Sequence, residues 1–402
     1  MTDIDISSLL TEAEIAHIKE PIEQAGTLPA RCFTDDEFYQ LEIDRIFGRR
    51  WVAVLFESDV AGIGDLRPFD LCGVPLLAVR TSSNDISIFH NICPYDGCLA
   101  VIDPISGASQ IETPYHGWVY DLNGTLLEAP VWGGTKHSSP DSLNGKDINL
   151  QQVYSRSFLN TVFINLADAP LGFDDHIAPL HRALSEYDFS IARPGVNEQA
   201  RVQVSSLNVK TNWKTHFENA CINVLHENFV HEGYKVSPEI PRVSDEGVPT
   251  FQAIIDEKLL ALSYKHQDFL QTYPEMDIPH LGFESSGQPE TETFGTLYPN
   301  FFVSASSQFI EVGFALPDGP EETNQRMIYL YEKEVAESPD ARELRTLVAE
   351  GFASAAQEDA RICEAVQLAR RSPVFNQKFY SPFWDQMHYE FSNWVLADLE
   401  QA

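Results

Sequence analysis

Between residues 50 and 167 the chain is written in short β-type runs broken by Gly, Asp, Asn and Ser, and this rhythm constrains its fold more than any other feature. Trp51-Val52-Ala53-Val54-Leu55 and Val74-Pro75-Leu76-Leu77-Ala78-Val79 have the length and side-chain types of strands closed by turns. A small all-β domain is predicted there. Beyond Pro170 the pattern changes: residues 212–231 and 341–371 read as helices, with strands between them such as Phe301-Phe302-Val303-Ser304 and Arg326-Met327-Ile328-Tyr329-Leu330-Tyr331. The whole is therefore expected to be α+β, its larger part a sheet with long helices. Ahead of both, Thr11-Glu12-Ala13-Glu14 has capping-box form before Ile15 and Ile18, which predicts a short N-terminal helix. The expected division is 1–49 as a helical segment packing on the larger domain, 50–167 as the β domain, and 168–402 as the α+β domain.

Composition limits what such a chain binds. At 402 residues and 43% hydrophobic it can bury sizeable cores, so disorder is excluded. Acidic residues outnumber basic ones by 60 to 27, and the net charge of -33 repels phosphate backbones and anionic lipid. Nucleic acid and membranes are not expected partners. The start, Met1-Thr2-Asp3-Ile4-Asp5, is unlike a signal peptide, and no apolar run reaches membrane-spanning length. Six scattered cysteines, Cys32, Cys72, Cys93, Cys98, Cys221 and Cys363, fit free thiols in a reducing compartment. A cytoplasmic protein is the expectation. The sequence contains no phosphate-binding glycine loop, no Gly-x-Ser-x-Gly turn and no internal repeat.

Two segments of the β domain carry chemistry: Asn91-Ile92-Cys93-Pro94-Tyr95-Asp96-Gly97 and Thr113-Pro114-Tyr115-His116-Gly117-Trp118-Val119-Tyr120. They resemble the paired loops of a Rieske domain, where Cys-x-His and Cys-x-x-His hold a 2Fe-2S cluster. The resemblance puts Cys93, Tyr95, Thr113 and His116 at the four ligand positions. Such a cluster takes two thiolates on one iron and two imidazoles on the other, and here one of each remains. A threonine hydroxyl supplies no thiolate, and a tyrosine reaches iron only as a hard phenolate. The cluster is therefore expected to be absent. His90 and Cys98 would complete a zinc-type set with Cys93 and His116; against it, His90 sits at a strand-like position and Cys98 suits a packing gap. A β domain kept for its interfaces, without metal, is the preferred expectation.

In the helix expected over 341–371, Val348, Phe352, Ala355, Ile362 and Val366 recur at three- and four-residue steps, and Asp359 falls on their stripe while Glu358 faces elsewhere. A buried carboxylate must be paired, hydrogen-bonded or bound to a metal. His226 and His231 are five residues apart, about 140° around a regular helix, so both can face one metal only if the helix breaks after His226. That spacing alone does not distinguish ligands from ordinary histidines.

The run Asn212-Trp213-Lys214, then Glu218-Asn219, then His226 and His231, resembles the iron-binding segment of Rieske oxygenase α subunits, and Glu358-Asp359 with Glu364 and Gln367 resembles that family's third-ligand segment. Covering roughly residue 50 to the C-terminus, the resemblance implies a helix-grip catalytic-type domain in which His226, His231 and Asp359 hold mononuclear Fe(II) by a two-His, one-carboxylate face. Asn223 stands where family members usually carry the Asp that bridges the iron's histidine to the Rieske histidine of an adjacent subunit. It would orient His226 without a negative charge. Leu225 replaces a frequent Tyr.

What the family implies is dioxygen activation at that iron, with electrons from NAD(P)H passing through a reductase and the Rieske centre, to hydroxylate or demethylate a small organic molecule. Without a cluster of its own, the chain is expected to be an oxygenase subunit fed by an intact Rieske α-type subunit or by a ferredoxin or reductase. The alternative is a non-catalytic structural or regulatory subunit. Either would sit in a trimer-based homo- or hetero-oligomer. The substrate is not legible between residues 238 and 309.

Overall fold

A computed structural model of the chain describes residues 4–136, 143–220, 225–232, 247, 251–265, 281 and 291–401. It divides into two compact units, one of Arg49–Pro170 and one of Met1–Gly48 with Leu171–Ala402.

The smaller unit is strand and turn among its described residues, with 3-10 turns at Glu57–Val60 and Leu143. Its strands are β1 (Val52–Phe56), β2 (Leu66–Leu71), β3 (Val74–Arg80), β4 (Ile86–His90), β5 (Ile111–Glu112), β6 (Val119–Tyr120), β7 (Leu126–Glu128), β8 (Gln152–Phe158) and β9 (Thr161–Asn165). Six of them form an antiparallel sheet in the order β1-β9-β8-β4-β3-β2, and β5-β6-β7 form a second sheet. Every residue of β1 and β9 is buried, which explains why Val52-Ala53-Val54-Leu55-Phe56 is continuously apolar rather than alternating. The hairpin between β2 and β3 turns at Cys72-Gly73, both at positive φ, the geometry that matches strand twist in a two-residue loop. Between the sheets, Leu77, Val79, Phe89, Ile111, Trp118 and Tyr120 make a core that also contains Cys93. Both loops singled out in the sequence are thus anchored in the centre of the unit.

The larger unit is built on an antiparallel sheet in the order β10-β17-β16-β15-β14-β13-β12, with β11 also pairing β17. Its strands are β10 (Ala192–Pro194), β11 (Ser205–Val209), β12 (Gln252–Asp256), β13 (Leu259–Lys265), β14 (Thr291–Leu297), β15 (Phe301–Ala305), β16 (Phe309–Pro317) and β17 (Thr323–Glu332). The helices are α1 (Ile6–Leu9), α2 (Glu12–Ile18), α3 (Asp36–Glu42), α4 (Phe173–Ala183), α5 (Trp213–Ala220), α6 (Glu227–Val230), α7 (Lys333–Glu337), α8 (Arg342–Arg370) and α9 (Gln386–Leu399). Helix α4 covers one sheet face, where a Cβ on Gly295 would stand 3.7 Å from Leu180. The other face receives α5 and α8: Phe309 and Tyr329 each pack their rings 5.6 Å from that of Phe352. This is the α+β architecture expected from the sequence.

Two expectations about helices are corrected. The run 212–231 is not one helix among its described residues, since α5 ends at Ala220 and α6 starts anew at Glu227. In α8 the buried positions are Arg345, Val348, Ala349, Ala360, Cys363 and Gln367, whereas Ile362 is exposed. The reason is polar: Gln367 accepts from the Asn212 amide and donates to the Phe33 carbonyl, which turns its side of the helix inward.

The Asn-Trp-Lys run joins the N-terminal helices to this unit. Glu42 of α3, wholly buried, accepts from Lys214 Nζ at 2.5 Å and from Trp213 Nε1 at 2.7 Å. Burial drives the Glu42 carboxyl up and the Lys214 ammonium down, and their attraction opposes both shifts. Among the described residues no helix is long and apolar enough to cross a membrane.

Candidate metal centre

Two histidines flank the short helix α6. His226 precedes α6, its carbonyl accepting the amides of Phe229 and Val230 at 2.8 Å each, and His231 follows the helix. The helix begins directly after His226, where a break was expected, and stops at Val230, so His231 is freed from the separation of about 140° that a continuous helix would impose. The two rings lie 5.2 Å apart between centroids. From α8, Asp359 Oδ1 reaches 3.1 Å from His226 Nε2 and 3.7 Å from His231 Nε2. One ligand atom from each residue falls within 4.8 Å of the others, and among the described residues no other group of three His, Cys, Asp or Glu does so. Asn223 lies outside the described residues, while Leu225 beside it is exposed.

Neighbours hold these donors in place. Asn219 Nδ2, on α5, donates to Asp359 Oδ1 at 2.9 Å. Glu358 Oε2 stands 2.9 Å from His231 Nδ1, which corrects the expectation that Glu358 faces away. Although Glu358 sits about 100° round the helix from Asp359, its longer side chain bends back to the imidazole. Such a partner on one ring nitrogen fixes the tautomer that leaves the other nitrogen free to ligate. The donor set, two imidazoles and a carboxylate, suits a mononuclear non-haem iron.

Two further groups face this site that the sequence did not single out. His216, one turn before Asn219 on α5, is buried with neither ring nitrogen hydrogen-bonded among the described residues. Burial pushes its imidazole down to about 4, against the opposing pull of Asp359. Glu311 on β16 is also buried, and burial, with the charge of Asp359 adding to it, pushes its carboxyl up to about 8. Nothing in their spacing marks them, because they come from elements far apart in the chain.

The two loops of the smaller unit are built alike. The Gly97 amide bonds the Cys93 carbonyl at 2.9 Å and the Gly117 amide bonds the Thr113 carbonyl at 3.1 Å, with both glycines at positive φ. Their donor side chains are committed to protein contacts. Cys93 Sγ lies 3.8 Å from the Tyr120 hydroxyl, and burial pushes its thiol up. Thr113 Oγ1 accepts the Trp118 amide at 3.0 Å. Tyr95 stacks on Trp118, with centroids 4.9 Å apart and planes 1° from parallel. His116 Nδ1 is 2.5 Å from Asp96 Oδ2. Burial alone would raise Asp96, but hydrogen bonds from His116, the Cys98 amide and Cys93 reverse this and hold its carboxyl below the usual range. Asp96 was not picked out from the sequence, and the acid following Tyr95 in the loop was the available clue. His90, Cys93, Cys98 and His116 do not gather into a zinc-type set among the described residues.

Comparison with known proteins agrees with this layout. Residues 196–401 match the family model of the ring hydroxylating alpha subunit (catalytic domain), and residues 50–137 match that of the Rieske [2Fe-2S] domain. Chloroplastic choline monooxygenase of Arabidopsis thaliana is 23% identical over 386 residues, 96% of this chain and 85% of that protein. The biphenyl 2,3-dioxygenase subunit alpha of Rhodococcus jostii is 27% identical over 56% of this chain and 49% of its own length. Among solved structures, the quaternary ammonium Rieske monooxygenase CntA with L-carnitine has a TM-score of 0.70 at 18% identity, covering 96% of this chain and 98% of CntA. Naphthalene 1,2-dioxygenase from Rhodococcus sp. has a TM-score of 0.71 at 18% identity over 94% and 95% of the two chains, so the fold is shared throughout. The small β unit with its paired glycine loops, the helix-flanked sheet and the catalytic-domain match covering 196–401 together establish that this chain belongs to the ring-hydroxylating, Rieske-type oxygenase α-subunit family.

Proposed function

We propose that the chain is an oxygenase component acting on a small organic substrate at an iron held by His226, His231 and Asp359, with electrons supplied by another protein. The observation that carries this reading is the convergence of those three donors within 4.8 Å, each 11–15% exposed. When bound there, iron would supply the site at which dioxygen is activated. Asn219 holds the Asp359 carboxylate toward the histidines, and Glu358 accepts the Nδ1 proton of His231, so that the Nε2 lone pair points inward. The low exposure limits water at the reacting centre.

The 2Fe-2S group does not fit the residues at its four positions. Thr113 and Tyr95 lack sulfur and imidazole, and the remaining two side chains are drawn to Asp96, whose carboxyl takes hydrogen bonds from both His116 and Cys93. The electron donor is therefore external on this reading, either an intact Rieske-type subunit or a ferredoxin or reductase. A purely architectural subunit has no need of a half-buried carboxylate held by Asn219 beside two imidazoles, which weighs against that alternative.

Metal analysis of the purified chain after anaerobic loading with ferrous iron tests the site. About one iron per chain is expected, falling by at least tenfold in Asp359→Ala and in His226→Ala. Full iron retention by both variants would contradict the assignment.

A further inference from the structure

The sheet face that receives α8 carries a carboxylate that the proposed iron site does not use. Phe309 and Glu311 are two residues apart on β16 and so point to the same face, and the Phe309 ring lies 5.6 Å from that of Phe352 on α8. In register, Glu311 stands opposite Tyr329 of β17, whose ring is also 5.6 Å from Phe352. Phe352 and Asp359 are seven residues apart on α8, within about 20° of one another around the helix axis. Glu311 therefore lies beneath the same side of α8 that presents Asp359. The electrostatic influence of Asp359 reaches both Glu311 and His216, so β16, α5 and α8 converge on one space.

Glu311 is 5% exposed, and among the described residues its carboxyl makes neither an ion pair nor a hydrogen bond. The charged and titratable groups whose influence links to it are Asp359, which repels its charge, and Tyr331 of β17, itself held beside Arg345. A buried carboxyl without a partner is costly, and the cost is relieved only by a ligand that brings the missing charge or donor. An anionic ligand would find no counter-charge in Glu311. A hydrocarbon would leave Glu311 as it is. A cationic group would favour the ionised form of Glu311 and be paired by it, and the aromatic side chains of Phe309, Tyr329 and Phe352 on the same face suit an ammonium better than they suit water.

We propose that this site takes substrates bearing an amine or quaternary ammonium cation, with Glu311 as the counter-charge that anchors it beside the iron. The proposal rests on the assignment of His226, His231 and Asp359 as the iron site.

Calorimetric titration of the iron-loaded full chain tests it. The probes are choline against its uncharged isostere 3,3-dimethylbutan-1-ol, phenyltrimethylammonium against tert-butylbenzene, and benzoate as the anion. At least one cation is expected to bind tenfold or more tightly than its isostere, and Glu311→Gln, which preserves shape, is expected to cut that preference below threefold. The wild-type comparison stands even if the variant folds poorly. Iron is counted on the same samples, so a chain that holds no iron refutes the parent assignment. An iron-bound chain that binds no cation, treats cation and isostere alike, or prefers benzoate overturns the role of Glu311.

Discussion

Four side chains of the smaller unit occupy the positions at which the family resemblance implies cluster ligands. Cys93 and His116 are donors a cluster would use, whereas Tyr95 and Thr113 are not, and this difference was legible directly in the sequence because it is a matter of donor chemistry. The part played by Asp96 was not legible, since its bond to His116 depends on how two loops about twenty residues apart fold against each other. The same holds for Glu358, whose reach to His231 follows from side-chain length and a broken helix rather than from its place on a stripe. A restoration experiment belongs at this scale. Tyr95→His with Thr113→Cys is expected to leave cluster assembly weak, because Asp96 still engages His116, and adding Asp96→Ala is expected to strengthen the visible absorption of a reconstituted 2Fe-2S centre several-fold. Equal absorption from the double and triple variants after reconstitution would refute that role for Asp96.

At the scale of elements, the strands of both units and the existence of α2 and α8 were readable from periodicity and caps, because those depend on neighbours in sequence. The inward turn of α8 at Gln367 was not readable, because it is fixed by the Phe33 carbonyl from a distant element, and spacing alone did not place the break between α5 and α6. The buried pair between Lys214 and Glu42 is the firmest of these tertiary links. Lys214→Met is expected to cost about 3–5 kcal/mol by leaving a buried carboxylate unpartnered, and adding Glu42→Leu is expected to recover much of the loss. Urea denaturation reads both, and a double variant no better than the single would refute the pairing argument.

The N-terminal helices offer a milder case. Arg31 lies 2.5 Å from Glu14, and chiefly through that hydrogen bond it holds the Glu14 carboxyl down at about 2, below its ordinary 4.5. A depressed acid stabilises the fold above its unfolded value, and that contribution disappears as pH falls through the folded value. Because Arg31 is 36% exposed, screening reduces the effect to about 1 kcal/mol. Arg31→Met is therefore expected to cost that much at pH 7, with the difference from wild type closing between pH 4.5 and pH 2. A difference that stays constant over that window would show that lost packing, not charge, accounts for it.

For the molecule as a whole, the family fold is complete across both units, while two of the four ligand positions in the smaller unit carry Tyr95 and Thr113. The larger unit keeps two imidazoles and a carboxylate within 4.8 Å, and the smaller keeps the loop framework with a different set of side chains. On the proposed function, the iron centre is retained and the 2Fe-2S centre is not. Iron and acid-labile sulfide, counted together on the full chain after reconstitution with both, test this most directly. The expected result is about one iron per chain, with no stoichiometric sulfide and no 2Fe-2S absorption. About three irons and two sulfides per chain would contradict it.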